Sequence, residues 1–298
     1  MITIKARLKP FSHLPGTPCM VPGTATCIRA FPTRLLFTDL ITGKTWEEPL
    51  PWKGPVEEFT VEMDLDRGGA AIFGKTRGGF RRHWIAGEKK RFEKLSLGKH
   101  TLLDWELVRR KMSIEELAPI LFALGQGVPL AECTSPALAL LHFTDKREIV
   151  PNLKNFFRVA FSGMLVPRLT DEEFQGIIAE GKTSGSPLAL LRQGYGVLRS
   201  LFFEEANREI ALLPLLPPEF HAGRLTHLLT TQGDTFALEW SKKILKRVVI
   251  EPKVTRPVTL ILQKSLSSFR VNRKERHAVK EPLQLTAGKK IALDRFEK

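Results

Sequence analysis

Apolar and polar residues alternate strictly through Phe59-Thr60-Val61-Glu62-Met63-Asp64-Leu65, which predicts a strand with one buried and one wet face. Residues 24–31, 34–40 and 70–75 are similar short runs rich in Val, Ile, Phe and Thr. Pro15-Gly16, Pro22-Gly23, Thr42-Gly43-Lys44, Gly54-Pro55 and Gly68-Gly69 separate the runs with turn chemistry. Strands so spaced favour an antiparallel sandwich or barrel over a parallel sheet. Residues 1–98 are therefore expected to form an N-terminal antiparallel β-sandwich.

After about residue 104 the apolar period lengthens to that of helices. Ser113-Ile114-Glu115-Glu116 has the form of a capping box, and Pro119 is expected to interrupt or restart the helix it opens. Thr170-Asp171-Glu172-Glu173 is a second box, with Gly181 as the stop. Ser186-Pro187 is a third start, leading through Leu188, Leu191, Val197 and Leu198 toward Phe202, with Gly194 and Gly196 weakening the run. Four to six helices are expected over residues 99–206. Beyond residue 207 period two returns: Phe236, Leu238 and Trp240 share a face, and Ile244, Lys246, Val248 and Ile250 alternate with Leu245, Arg247 and Val249. The fold class is α+β, a helical connector between two antiparallel sandwiches, the second over 207–298.

With 298 residues the chain is long enough to bury a substantial core. No apolar run reaches the roughly 18 residues that span a bilayer, so no membrane span is expected. The first eight residues alternate like a strand and lack the apolar block of a secretory signal. Cys19, Cys27 and Cys133 show no CxxC spacing, and none of the seven histidines falls in an HxH or HxxxH pattern. Reduced thiols, a cytoplasmic setting, no metal and no cofactor are the expectations.

The net charge of +14 admits nucleic acid, an anionic membrane face or an acidic partner. It is concentrated between Arg67 and Lys111, where thirteen Lys and Arg face four Asp and Glu. A second excess surrounds Arg270, Arg273, Lys274 and Arg276. Within the first, Arg81-Arg82-His83-Trp84 and Lys89-Lys90-Arg91-Phe92 interleave cations with rings, a composition suited to single-stranded nucleic acid. The plainer interpretation is a solvated strand face with Trp84 turned inward. Trp46 and Trp52 flank a turn-rich stretch where an exposed indole would stack on a sugar, whereas Trp105 and Trp240 are expected to pack. Gly176–Thr183 matches the phosphate-loop spelling, but a capped helix precedes it and no helix begins at its lysine, so a helix stop explains it better.

Glu209-Ile210-Ala211-Leu212-Leu213-Pro214-Leu215-Leu216-Pro217-Pro218-Glu219-Phe220, then Gly223-Arg224-Leu225 and Gly233-Asp234-Thr235-Phe236-Ala237-Leu238-Glu239-Trp240, resemble the entry into the C-terminal β-sandwich of family 95 glycoside hydrolases and their relatives. A closing Phe269-Arg270-Val271-Asn272 hairpin extends the likeness, which covers the last third of the chain. The resemblance implies carbohydrate as a class of partner. That family's catalytic acid and base sit in an (α/α)6 barrel. Twelve helices of about 11–12 residues need well over 150 residues, and only about 100 separate the β regions. A reduced relative without the barrel is the reading, and no catalytic residue is assigned.

Three functions follow in order of expectation. The first is a non-catalytic carbohydrate-associated protein binding a glycan or a partner protein, with Trp46 and Trp52 as substrate-binding rings. The second is a basic nucleic-acid-binding or scaffolding protein using Arg81, Arg82, His83 and Trp84. The third is a glycoside hydrolase with a rebuilt site.

Overall fold

The computed structural model describes residues 2–5, 9–87, 93–98, 113–128, 136–143, 145–160 and 187–298. The phosphate-loop match at 176–183, the box at Thr170, the stretch Lys89–Phe92, Trp105 and Cys133 lie outside these residues.

Two four-stranded antiparallel sheets form the N-terminal part. One has the order β2(Pro18–Met20)-β3(Thr26–Phe31)-β4(Arg34–Asp39)-β5(Thr45–Pro49), the other β1(Phe11–Ser12)-β6(Glu57–Asp64)-β7(Gly69–Thr76)-β8(Gly79–Ala86). The alternation in β6 does what it predicts: Phe59, Val61 and Met63 are buried. Strand β5 corrects the expectation of a turn-rich loop around Trp46. Trp46 pairs with Phe37 of β4, their rings stacked at 5.0 Å and 4°, and this cross-strand contact holds a segment with no alternation of its own.

Helices α1(Ile114–Gly125), α2(Ile149–Ala160) and α3(Pro187–Phe202) and a 3-10 turn, Pro136–Leu141, follow. Helix α1 starts after Ser113, but the serine half of the expected capping box is not made: the Ser113 hydroxyl donates to the Glu115 carboxylate at 3.0 Å instead of serving a backbone N–H. Nor does Pro119 break the helix. A proline there removes a hydrogen bond at about 3 kcal/mol, offset by seven surrounding apolar side chains from Ile114 to Leu124 that are all buried. Gly194 is a packing device as much as a weak point, because a Cβ would meet Leu121 and Phe156 at 3.1 Å.

Helix α3 passes directly into β10(Phe203–Ala206), which joins β11(Glu209–Leu212), β15(Arg256–Ile261) and β18(Leu283–Leu285) in a four-stranded sheet. Its β11–β15 pair is parallel, so the C-terminal region departs from the purely antiparallel expectation. A seven-stranded antiparallel sheet has the order β17(Glu275–Ala278)-β16(Ser268–Val271)-β19(Ile291–Glu297)-β14(Ile244–Glu251)-β13(Thr235–Ser241)-β12(Ala222–Leu229)-β9(Lys94–Ser96). Strand β9 comes from the N-terminal portion and pairs with β12 through Leu95 and Leu225. One continuous apolar cluster runs from Cys19 through the helices to Leu293.

Candidate functional site

In β8 alternate residues take opposite faces of the sheet, and neighbours in β7 fix which is which. Ile85 stands opposite Ala70 and His83 opposite Ile72, on the side that joins the core. Trp84 stands opposite Ala71, Arg82 opposite Phe73 and Phe80 opposite Lys75, on the other side. Phe73, Phe80 and Trp84 lie outside the apolar core cluster. The outer face of this sheet thus carries a row, Phe80–Arg82–Trp84, with members about 6.7 Å apart along the strand.

These groups are organised by one another. Phe80, 68% exposed, stacks on Phe73 with centroids 6.2 Å apart. The Arg82 guanidinium lies 5.7 Å from the Phe73 centroid and 5.8 Å from that of Trp84. Arg67, in the β6–β7 turn, sits 4.6 Å over the Trp84 ring. Such contacts fix the cations at a wet face by cation–π attraction while leaving their N–H groups available. Arg67, Arg77, Arg81 and Arg82 form no ion pair among the described residues. Lys75 reaches Glu58 only at 4.0 Å, both ends exposed.

The four residues singled out in sequence are therefore divided. Arg82 and Trp84 share the outer face; Arg81 and His83 take the other. Trp84 does not turn into the core. Phe80 and Phe73, unmarked in the sequence, complete the face, and the two-residue spacing of Phe80, Arg82 and Trp84 was the available signal. The indoles considered for sugar are also divided. Trp46 is 37% exposed, and its Nε1 donates to Glu48 at 3.3 Å. Trp52 is 8% exposed and packs in the core against Gly74, where a Cβ would lie 3.2 Å from its ring. That burial corrects the expectation of a second open ring.

The motifs behind the family resemblance turn out to be packing devices. Asp234, fully buried, pairs with Arg256 at 2.8 Å and accepts the Lys253 N–H at 2.7 Å, tying the β12–β13 loop to β15. Trp240 donates from Nε1 to the Phe220 carbonyl at 3.1 Å and stacks on Phe202 at 5.3 Å. A Cβ at Gly223 would stand 2.2 Å from the Trp240 ring, so only glycine fits there.

A buried polar network, invisible in sequence, joins the helices to the seven-stranded sheet. Arg199 of α3 donates from Nε and Nη2 to both Glu93 oxygens at 3.0–3.1 Å. Tyr195 Oη donates to Glu93 Oε2 at 3.0 Å, and the Leu229 N–H to Oε1 at 3.0 Å. Gln126 bonds the backbone N–H and C=O of Glu93 at 2.7 and 2.8 Å, as a neighbouring strand would. Burial, and then the Glu93 charge, push the Tyr195 phenol well above its ordinary range. Burial disfavours the Arg199 charge, but the Glu93 hydrogen bonds and charge outweigh it and hold its pKa up. Burial likewise raises the thiols of Cys19 and Cys27.

A groove of about 500 Å³ opens beside this network, between Ile2–Ile4 and the outer face of β12–β14. Its charged groups are already engaged: Lys290 with Glu251 at 2.6 Å, Lys94 with Asp66 at 2.9 Å, and Glu93 with Arg199.

No known family model matches this sequence, and no curated protein matches it. Among the described residues no group of three or more His, Cys, Asp or Glu is placed to hold a metal ion, and no helix is long and apolar enough to cross a membrane.

Proposed function

We propose that this protein is a non-catalytic binding protein whose outer β6–β8 face takes single-stranded nucleic acid. The observation that carries the reading is the Phe80–Arg82–Trp84 row, backed by Phe73 and Arg67: an open ring beside cations with no carboxylate partner among the described residues. Bases stack on such rings whatever their identity, and phosphates meet the cations, so the mode is tolerant of sequence. The net charge of +14 adds attraction at long range. The buried carboxylates described, Asp64, Glu93 and Asp234, are each tied to a cation and a backbone N–H, which supports binding over catalysis.

We read the paired N-terminal sheets and the paired C-terminal sheets as two sandwiches. Phe203 of β10 meets Phe236 of β13 at 5.4 Å, a contact between the two C-terminal sheets that supports this. Family 95 ancestry remains our proposal for the last third. Carbohydrate binding at Trp46 is the second reading, favoured by an exposed indole backed by Phe37 on a strand exposed throughout.

The test is a heparin column and an oligothymidylate titration run beside a glycan array. Tight, salt-sensitive oligonucleotide binding with no glycan hit is the expected result. A glycan hit indifferent to salt and abolished by Trp46→Ala, with no oligonucleotide binding, would replace this reading by the second.

A further inference from the structure

Hairpin β13–β14 turns through Lys242 and Lys243, with Ser241 opposite Ile244. Both lysines have left-handed backbone, φ 54° and 62°. A two-residue hairpin turn with both φ values positive is the type I′ turn, for which Asn-Gly is the low-energy pair and lysine a costly one. Elsewhere the chain's left-handed positions are shared between glycines, as at Gly43, Gly68, Gly233 and Gly288, and other residues, as at Asn207, Leu213, His227 and the pair Asn272-Arg273.

The turn is held through the backbone atoms of Lys243, with the Gln263 side chain as one partner. Lys243 N donates to the His221 carbonyl at 2.9 Å, and its carbonyl accepts Gln263 Nε2 at 2.7 Å. Gln263 Oε1 in turn accepts the Leu245 N–H at 3.2 Å. Among the described residues no side-chain bond of either lysine explains its presence. Lys246, the extra residue of the bulge where Trp240 pairs Leu245 and Glu239 pairs Arg247, is exposed close by, as is Lys264 next to Gln263. Lys242, Lys243, Lys246 and Lys264 form no ion pair among the described residues.

We infer that this lysine-bearing tip is a second contact for the phosphates of the same single-stranded nucleic acid, an inference that rests on the reading above. Unpaired cations stand where folding alone favours Asn-Gly, and a backbone outlier kept against local preference marks a role outside folding. The partner chemistry is a row of regularly spaced anionic oxygens, met without regard to sequence.

The test compares Lys242→Asn/Lys243→Gly with Lys242→Arg/Lys243→Arg and with Phe80→Ala in the full chain. The probes are fluorescein-labelled oligothymidylate of about 30 nucleotides and heparin, titrated at about 50 to 200 mM salt. The Asn-Gly variant is expected to melt about 2–4 °C higher. Its affinity for oligothymidylate should fall roughly tenfold, and the slope of log affinity on log salt should shrink by about 1.4, some 0.7 for each lost phosphate contact. The Arg-Arg variant should keep the slope. A higher melting temperature with slope and affinity unchanged would overturn the inference, as would a loss seen on heparin and not on oligothymidylate. Slope loss in the Asn-Gly variant beside an unaffected Phe80→Ala variant would leave this contact standing and sink the ring-stacking reading; the reverse pattern would sink this contact alone.

Discussion

The Trp84 ring fits so closely against Gly69 that a Cβ on Gly69 would stand 2.4 Å from Trp84 Cζ2 and 2.5 Å from the Ile85 carbonyl oxygen. The first position of β7 thus sets the seat of an aromatic ring on β8, and through Arg67 and Arg82 it sets the cations of the outer face.

Gly69→Ala is expected to unseat Trp84 and shift the strand, destabilising the protein by about 1–3 kcal/mol. Thermal melts check the stability. A changed tryptophan emission and weakened oligonucleotide binding should accompany the loss, because the face and the fold share this contact.

Truncating one partner of a buried ion pair leaves the other charge uncompensated, at about 3–5 kcal/mol. Glu93→Ala removes the acceptor of Arg199, Tyr195 and the Leu229 N–H together. Urea unfolding should show a loss at the upper end of that range. The double variant Glu93→Ala/Arg199→Met should recover part of it, since the stranded cation is then gone.

Tyr195 is the single tyrosine of the chain, so ultraviolet titration reads it alone. Burial and the Glu93 charge raise its folded pKa above the ordinary value of about 10. The folded protein should therefore show no phenolate absorbance at that pH, and the signal should appear only with alkaline unfolding. A raised folded pKa contributes stability that is complete below the unfolded pKa and lost as pH rises beyond it. Tyr195→Phe should accordingly lose less stability than the native chain on the alkaline side.

Asp294 shows the opposite sign. Hydrogen bonds from Arg270 at 2.8 and 3.0 Å hold its carboxyl below the ordinary range. Its contribution is present above the unfolded pKa of about 3.9 and is lost as pH falls through the folded value. The difference in stability between native and Asp294→Asn chains should be largest near neutrality and close in acid. Because the pair is partly exposed, salt should shrink it too.

What was legible in sequence follows from where the information lies. β6 shows itself because one of its faces is wet and the other buried, and Phe236, Leu238 and Trp240 declare β13 in the same way. β8 hides its polarity, since Arg81 and Arg82 make both faces look wet, and only Ala71 and Ile72 in β7 tell them apart. Trp46 and Trp52 flank the same turn-rich stretch yet have different surroundings. What decides is Phe37 for one and Gly74 for the other, neither a sequence neighbour. The Glu93–Arg199 pair is 106 residues apart, so no local pattern announces it. Pro119 misleads because helix propensity is local and the packing that overrides it is not.

The central claim is that an open ring and neighbouring cations on one sheet face bind a nucleic-acid strand together. Fluorescence anisotropy of labelled oligothymidylate with Phe80→Ala and Arg82→Ala measures it most directly. Phe80 is exposed, so its removal should leave the melting temperature unchanged while weakening binding by about 1–3 kcal/mol with no change in salt slope. Arg82→Ala should weaken binding and flatten the slope by about 0.7. Two folded variants that bind oligothymidylate as the native chain does would contradict the account.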